Sequence, residues 1–309
     1  PASPDPAPRP PVDAAASPAE ADLERFGAAT NAFAVDLWGT LEGEGNLVVS
    51  PASIQLALAM THAGARGRTA AELATAMHLG DDPAAFHTSA GALLRRWNDP
   101  EREAYRLAVA NRLYGEQTFE WAPPFLELTG DVYRAPLEPT DFVGAPDAAR
   151  RGINAWVEER TNDKIRELIP PGSIDGNTRL VLVNAVYFLA EWDASFDPNS
   201  TRDAPFHGPE GEREVPTMHQ TERFGYAEVD GVRLLDMPYR GEELSMLVVL
   251  PEENDELPAL EAQLSAARLA GWTEALSERR VRVALPKFRL EPAESMALGG
   301  SLAALGVRR

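Results

Sequence analysis

NAWVEERTNDKIRELIPPGSIDGNTRLVLVNAVYFLAEW, residues 154–192, contains a helix, a loop and a strand in one continuous stretch. Apolar residues recur at helical spacing from Ile153 to Ile169, and Pro170-Pro171-Gly172 predicts the end of that helix. The run Leu180–Phe188 is β-branched, aromatic and apolar on both faces. We therefore expect a strand that other elements cover on both sides.

A strand-to-helix junction is predicted further upstream. Residues 46–49 form an apolar, strand-like run, Ser50 is placed to cap a helix, and Pro51 suits its first position. Thr69 and Glu72 have the spacing of a capping box before a further amphipathic helix. The pattern therefore predicts two successive helices, the second of which ends at Gly80.

Several segments, in this order along the chain, resemble the serpin family. They are residues 46–54, 63–69, 107–114, 154–192, 215–220, 238–241 and 245–251. The resemblance spans residues 22–309 and implies an α+β fold, in which helices cover a large antiparallel or mixed sheet called sheet A. It identifies residues 153–169 as helix F and Leu180–Phe188 as the third strand of sheet A.

The sequence divides into two parts. Residues 1–20, PASPDPAPRPPVDAAASPAE, are rich in Pro and Ala without apolar periodicity, which predicts a disordered, extended linker. The serpin-like domain occupies residues 21–309. Because the sequence begins with Pro1, we expect that an export segment has been removed, with an arbitrary boundary as the alternative. The expected location is extracellular or periplasmic, either free or anchored through that removed segment.

The resemblance also implies that the C-terminal part of the family fold is missing from the sequence. Residues 295–306 resemble the family's last helix, and the sequence ends at Arg309. In a serpin, the fifth strand of sheet A, the reactive-centre loop and the last strands of sheets B and C would follow. We therefore expect an incomplete serpin domain without a reactive-centre loop.

Composition and motifs argue against several classes of function. A net charge of −19 disfavours nucleic acid, anionic membranes and heparin-type polysaccharides as partners, because the protein's own field repels them. No apolar run is long enough to span a bilayer. The five histidines show no metal-ligand spacing, and the sequence has no nucleophile elbow and no cysteine. We expect no enzyme, no metal and no cofactor.

Five residues are singled out by the resemblance. Ser50, Ser53 and Asn184 match the shutter region, where polar side chains beneath sheet A hold its strands together and re-pair when they part. Trp192 matches the breach region at the top of sheet A, and Trp156 lies on the face of helix F that packs over the sheet. The alternatives are helix capping for the two serines, an ordinary strand position for Asn184 and core packing for the tryptophans.

The function implied by the family is suicide-substrate inhibition of a serine or cysteine endopeptidase, which would be the partner of the full-length protein. The protease cleaves the exposed loop, the loop inserts into sheet A as a new strand, and the metastable fold drives this conformational change. The alternatives are a non-inhibitory carrier, chaperone or interaction protein of the same fold, and an inactive truncated remnant.

Overall fold

The computed structural model of the chain describes residues 12, 15–41, 45–208, 211–253, 256–290 and 296–308. Within these ranges the α-helices are α1 (Glu20–Trp38), α2 (Pro51–Gly64), α3 (Gly67–Ala76), α4 (Pro83–Trp97), α5 (Pro123–Glu127), α6 (Pro146–Arg160), α7 (Leu257–Ala262), α8 (Ala266–Ala275) and α9 (Gly299–Ala304). The strands are β1 (Tyr105–Glu116), β2 (Leu137–Thr140), β3 (Leu180–Ala190), β4 (Arg202–Gly208), β5 (Gly211–Val229), β6 (Val232–Pro238), β7 (Ser245–Pro251) and β8 (Ser277–Pro286).

The strands form two sheets. In the smaller, mixed sheet the order is β2-β1-β3, with β1 parallel to β2 and antiparallel to β3. The register of β1 and β3 runs from Tyr105 opposite Ala190 to Gly115 opposite Leu180. The larger sheet is antiparallel, with the order β4-β5-β6-β7 and with β8 paired to the middle of β5. Among the residues that the structure describes, no strand pairs with the second edge of β3.

The β1–β3 sheet is covered by different helices on its two faces. On one face, α1, α2 and α4 enclose a core that includes Phe26 and Leu56 in the helical layer and reaches Leu113 of β1. On the other face, Ile153 and Val157 of α6 pack with residues of β1 and β3. Because successive strand residues point to opposite faces, the apolar character of β3 on both faces is explained by this double covering.

The covering of β3 does not extend along its whole length. Val183 is buried under α6, but Phe188 and Leu189 near the end of the strand are 42% and 55% exposed. These two residues lie beyond the part of the strand that α6 covers. The expectation of a strand that is covered on both sides is therefore wrong for the C-terminal end of β3.

Helix α6 ends earlier than the sequence pattern predicts. It stops at Arg160, whereas the apolar spacing predicts a helix as far as Ile169. Asn162 and Asp163 have positive φ values of 49° and 60°, a conformation that ends a helix and that Asn and Asp tolerate well. The Asn154 side chain then holds the following segment, because its Nδ2 donates to Ile169 O and its Oδ1 accepts from Ile169 N, each at 2.9 Å.

Two further predictions in the N-terminal half differ from the structure. Residues 46–49 form no strand, and Val48 is 58% exposed. Helix α3 begins after Arg66, so Thr69 lies inside the helix rather than at its cap, and Glu72 pairs with Arg68 instead. By contrast, Ser50 caps α2 and Pro51 opens it as predicted.

Most of the predicted linker, residues 1–11, 13 and 14, lies outside the described residues, as does Ser295 in the predicted last helix. Where the structure describes the end of the linker, Ala16 O accepts a hydrogen bond of 3.0 Å from Arg95 of α4. Helix α1 begins at Glu20, close to the predicted start of the domain. None of the helices described is both long and apolar enough to cross a membrane.

Candidate functional site

A chain of polar side chains crosses the interface between α2 and the β1–β3 sheet. Asn184 of β3 lies directly opposite Asn111 of β1, and its Nδ2 donates to Asn111 Oδ1 at 2.6 Å. The hydroxyl of Ser53, in the first turn of α2, donates to Asn184 Oδ1. Asn184 therefore connects a helix with both paired strands, and we call Ser53, Asn184 and Asn111 the asparagine network.

Strand alternation explains why both asparagines face α2. Asn111 alternates with Val109 and Leu113, whose side chains lie in the core that contains the helices α1, α2 and α4. Asn184 alternates with Leu182 and Val186, which pack against the same core. Two amides are thus placed among apolar side chains, where a polar group needs partners.

Beyond Asn111 the polar chain continues toward α4. Asn111 Nδ2 donates to the main-chain carbonyl of Tyr133 at 3.1 Å. The Tyr133 hydroxyl lies 2.5 Å from His87 Nδ1, and His87 Nε2 lies 3.4 Å from His62 Nδ1 of α2. Burial raises the pKa of the Tyr133 phenol, which therefore stays protonated. The polar contacts thus link α2, α4, β1 and β3.

Ser50 has a different environment from Ser53. It is exposed, and its Oγ accepts a 3.4 Å hydrogen bond from the Ser53 main-chain N–H at the start of α2. This contact fixes the first turn of the helix that carries Ser53. The structure therefore brings Ser53 and Asn184 together and places Ser50 next to them as a cap.

Aromatic rings connect the two sheets at the end of β3. Trp192 stacks on Tyr239 with ring centroids 4.7 Å apart, and the two residues form an isolated β-bridge. Tyr239 also meets Phe188 edge-on at 5.1 Å. Burial raises the pKa of Tyr239, so its ring stays neutral. Trp192 therefore occupies a junction between sheets rather than the interior of either one.

Trp156 lies between α6 and the β1–β3 sheet. Its ring meets Tyr114 of β1 edge-on at 6.3 Å, and the Arg112 guanidinium lies 5.7 Å from its centroid. Burial raises the pKa of Tyr114 to about 12. These contacts agree with the predicted packing of this residue over the sheet, although its functional role stays a prediction.

Glu116 is a structural residue that sequence reasoning missed. This buried carboxylate, at the end of β1, accepts hydrogen bonds from the main-chain N–H groups of Thr118, Phe142 and Val143 and from the Thr118 hydroxyl. Burial alone would raise the pKa of Glu116, but these hydrogen bonds outweigh it and hold the pKa below its usual value. The carboxylate joins β1 to the segment that leads into α6.

Sequence reasoning also missed Asn111, Tyr133 and the two histidines of the polar chain. One signal was available: Asn184 interrupts the apolar run VLVNAVYF, and Asn111 follows the apolar run LAVA in LAVANRLY. The part of the chain that the structure describes contains no group of three or more His, Cys, Asp or Glu side chains that could hold a metal ion.

Comparison with known proteins identifies the family to which the chain belongs. The family model described as "Serpin (serine protease inhibitor)" matches residues 28–309. The leukocyte elastase inhibitor of Bos taurus is 43% identical over 299 residues, covering 93% of this chain and 78% of that protein. Emu ovalbumin (Dromaius novaehollandiae) has a TM-score of 0.86 and 32% identity, over 91% of this chain and 78% of that one.

A loop-inserted structure of a cleaved ovalbumin mutant matches almost equally well, with a TM-score of 0.85 and 31% identity over 92% of this chain and 79% of that one. The smaller and larger sheets correspond to sheets A and B of an α+β fold shared with these proteins. The chain belongs to the serpin family of serine protease inhibitors.

Proposed function

We propose that this chain forms the body of a suicide-substrate inhibitor of a serine or cysteine endopeptidase. The family is one of protease inhibitors rather than enzymes, and the similar protein from Bos taurus is named as an elastase inhibitor. The observation that carries the proposal is the asparagine network beneath a three-stranded sheet, whose β3 edge pairs with no further strand among the described residues. Insertion of a strand at that edge requires the sheet to move relative to α2.

The asparagine network would act as the shutter latch in this mechanism. Hydrogen bonds are directional, so β3 cannot slide along α2 without breaking the contact between Ser53 and Asn184. A half-made network leaves a buried amide without a partner, which costs about 1–3 kcal/mol. Intermediate positions of the sheet are therefore disfavoured, and two discrete arrangements are favoured.

Trp192 and Trp156 would have supporting roles. Movement of β3 at its upper end would separate Trp192 from Tyr239, because their stacked rings join the two sheets. Movement of α6 over the sheet would change the contact between Trp156 and Tyr114. The predicted export to an extracellular or periplasmic location rests on the composition of residues 1–20 and stays a prediction.

The test uses the full-length protein with elastase-like, trypsin-like, chymotrypsin-like, subtilisin-like and papain-like proteases. An SDS-stable complex at the summed mass of inhibitor and protease is expected with at least one of them. Asn184→Ala should change the ratio of complex to cleaved product, whereas Gln117→Ala, an exposed amide, should not. Cleavage of the protein by every protease without any complex would refute the proposal.

A non-inhibitory carrier, chaperone or interaction protein of the same fold is the second candidate. It is favoured by the similarity to ovalbumin structures, which are not named as inhibitors. A cleaved product that shows no gain in thermal stability would support this candidate, because strand insertion completes a sheet and stabilises the fold.

A further inference from the structure

Strand β8 carries a concentration of positive charge in an otherwise acidic chain. The chain has 29 Lys and Arg against 48 Asp and Glu. The segment SERRVRVALPKFRL, residues 277–290, reverses this balance, because it contains five cationic residues and one acidic residue, Glu278. A local reversal of sign on a folded surface indicates an attraction for anions at that place.

Three arginines share one face of the larger sheet. Arg280 and Arg282 are two positions apart on β8, so their side chains leave the same face about 7 Å apart. Arg223 of β5 lies directly opposite Arg280, with Cβ atoms about 5 Å apart. The neighbouring residues Phe224 and Val283 are buried on the opposite face. Arg223, Arg280 and Arg282 are exposed, and we call them the arginine face.

The charge of the arginine face is only partly compensated. Arg223 pairs with Glu278. Arg280 and Arg282 have no acidic partner and no hydrogen-bond acceptor among the residues that the structure describes. Like charges placed directly opposite each other on neighbouring strands destabilise the pair, and this applies to Arg223 and Arg280. A bound anion would relieve that repulsion.

Arg280 and Arg282 also border a depression of about 650 Å³ at the point where β8 begins, which Arg279 and Glu228 line as well. The Tyr226 hydroxyl there donates to Glu228 at 2.5 Å, and the Ser277 hydroxyl donates to the Tyr226 carbonyl at 3.5 Å. The depression therefore offers an anion the guanidinium groups, which combine charge with directional N–H donors.

We propose that the arginine face binds an acidic, extended segment of a partner protein. Two carboxylates two positions apart on an extended chain are also separated by about 7 Å, which matches Arg280 and Arg282. A short segment fits better than a long polyanion such as a sulfated polysaccharide. A long polyanion would run beyond the three arginines into the field of a chain with a net charge of −19.

The proposal is tested with a fluorescein-labelled peptide that contains Glu-Thr-Glu in an otherwise neutral sequence, and with its Gln-Thr-Gln counterpart. Fluorescence anisotropy should show binding of the Glu peptide only. The Arg280→Gln/Arg282→Gln variant should bind it at least tenfold more weakly. Raising the salt from about 20 mM to about 200 mM should weaken binding severalfold, because exposed charges are screened.

The matched control is Arg202→Gln/Arg233→Gln, which removes the same charge from exposed positions outside the arginine face. It should bind the Glu peptide within about twofold of the parent chain. The proposal is overturned by equal binding to the two peptides, by unchanged binding to the Arg280/Arg282 variant, or by no binding at millimolar peptide. Tighter binding of heparin than of the Glu peptide at equal salt would overturn the choice of a polypeptide partner.

Discussion

Replacing Asn184 by Ala should destabilise the fold by an amount that the geometry allows us to calculate. The side-chain amide of Asn184 accepts from the Ser53 hydroxyl and donates to Asn111 Oδ1 at 2.6 Å. After the substitution both partners lose a contact. Ser53 is partly exposed and can turn to water, but Asn111 is only 6% exposed and cannot.

The two losses are of different size. Leaving the buried Asn111 oxygen unpaired costs about 1–3 kcal/mol, whereas the Ser53 hydrogen bond contributes about 1 kcal/mol net. The expected decrease in the free energy of unfolding is therefore about 2–4 kcal/mol. For a chain of 309 residues, such a change lowers the melting temperature by roughly 3–6 °C.

Urea unfolding followed by both far-UV circular dichroism and tryptophan fluorescence measures this change, and coinciding transitions support a two-state analysis. Gln117→Ala removes an exposed amide and should change the free energy of unfolding by less than about 0.5 kcal/mol. In a double-mutant cycle, Asn111→Ala and Asn184→Ala should show a coupling energy of about 1–3 kcal/mol. An Asn184→Ala effect no larger than that of Gln117→Ala, or strict additivity in the cycle, would refute the network.

Three further predictions follow from other contacts. Glu116→Gln should destabilise the chain above about pH 5, because the lowered pKa of Glu116 means that its ionised form stabilises the fold. The difference should shrink as the pH falls below the ordinary pKa of a carboxyl group, and a difference that does not shrink between about pH 6 and about pH 3 in urea unfolding would contradict this. Val183→Asp should lower the free energy of unfolding by about 4 kcal/mol, because it buries a carboxylate. Leu189→Asp, at the exposed end of the same strand, is the control and should lower it by less than about 1 kcal/mol in the same assay. Asn154→Ala should release the segment around Ile169, seen as faster hydrogen exchange there with little change in β3; unchanged exchange would show that packing alone holds the segment.

The sequence predicts the elements of this fold better than their ends. The apolar run at Leu180–Phe188 and the Ser50-Pro51 start of α2 are local signals, and the structure confirms both elements. The end of α6 coincides instead with the positive φ values of Asn162 and Asp163, and Asn154 then binds the main chain of Ile169 fifteen residues later. No local pattern encodes that contact, so the apolar spacing alone predicts too long a helix.

The residues of the candidate site were likewise predicted only in part, because some of their contacts depend on distant parts of the chain. Family resemblance identified Ser53 and Asn184, which the structure places in direct contact. Asn111 and Tyr133 escaped prediction because their roles depend on the register between β1 and β3 and on a main-chain carbonyl. The exposure of Ser50 could not be predicted either, because a capping position has the same sequence pattern whether it is buried or exposed.

The asparagine network makes directional contacts in an interface that is otherwise held by non-directional ones. Around it, α2 and β3 meet through apolar side chains, and hydrophobic contact is non-directional, so it opposes separation more than sliding. The Ser53–Asn184 contact is directional and holds one position along that otherwise smooth interface. Its net contribution to stability is small compared with the apolar core, so it can be exchanged for other partners without unfolding the domain. In the proposed mechanism, a few polar groups in an apolar interface would therefore let the sheet move between fixed positions.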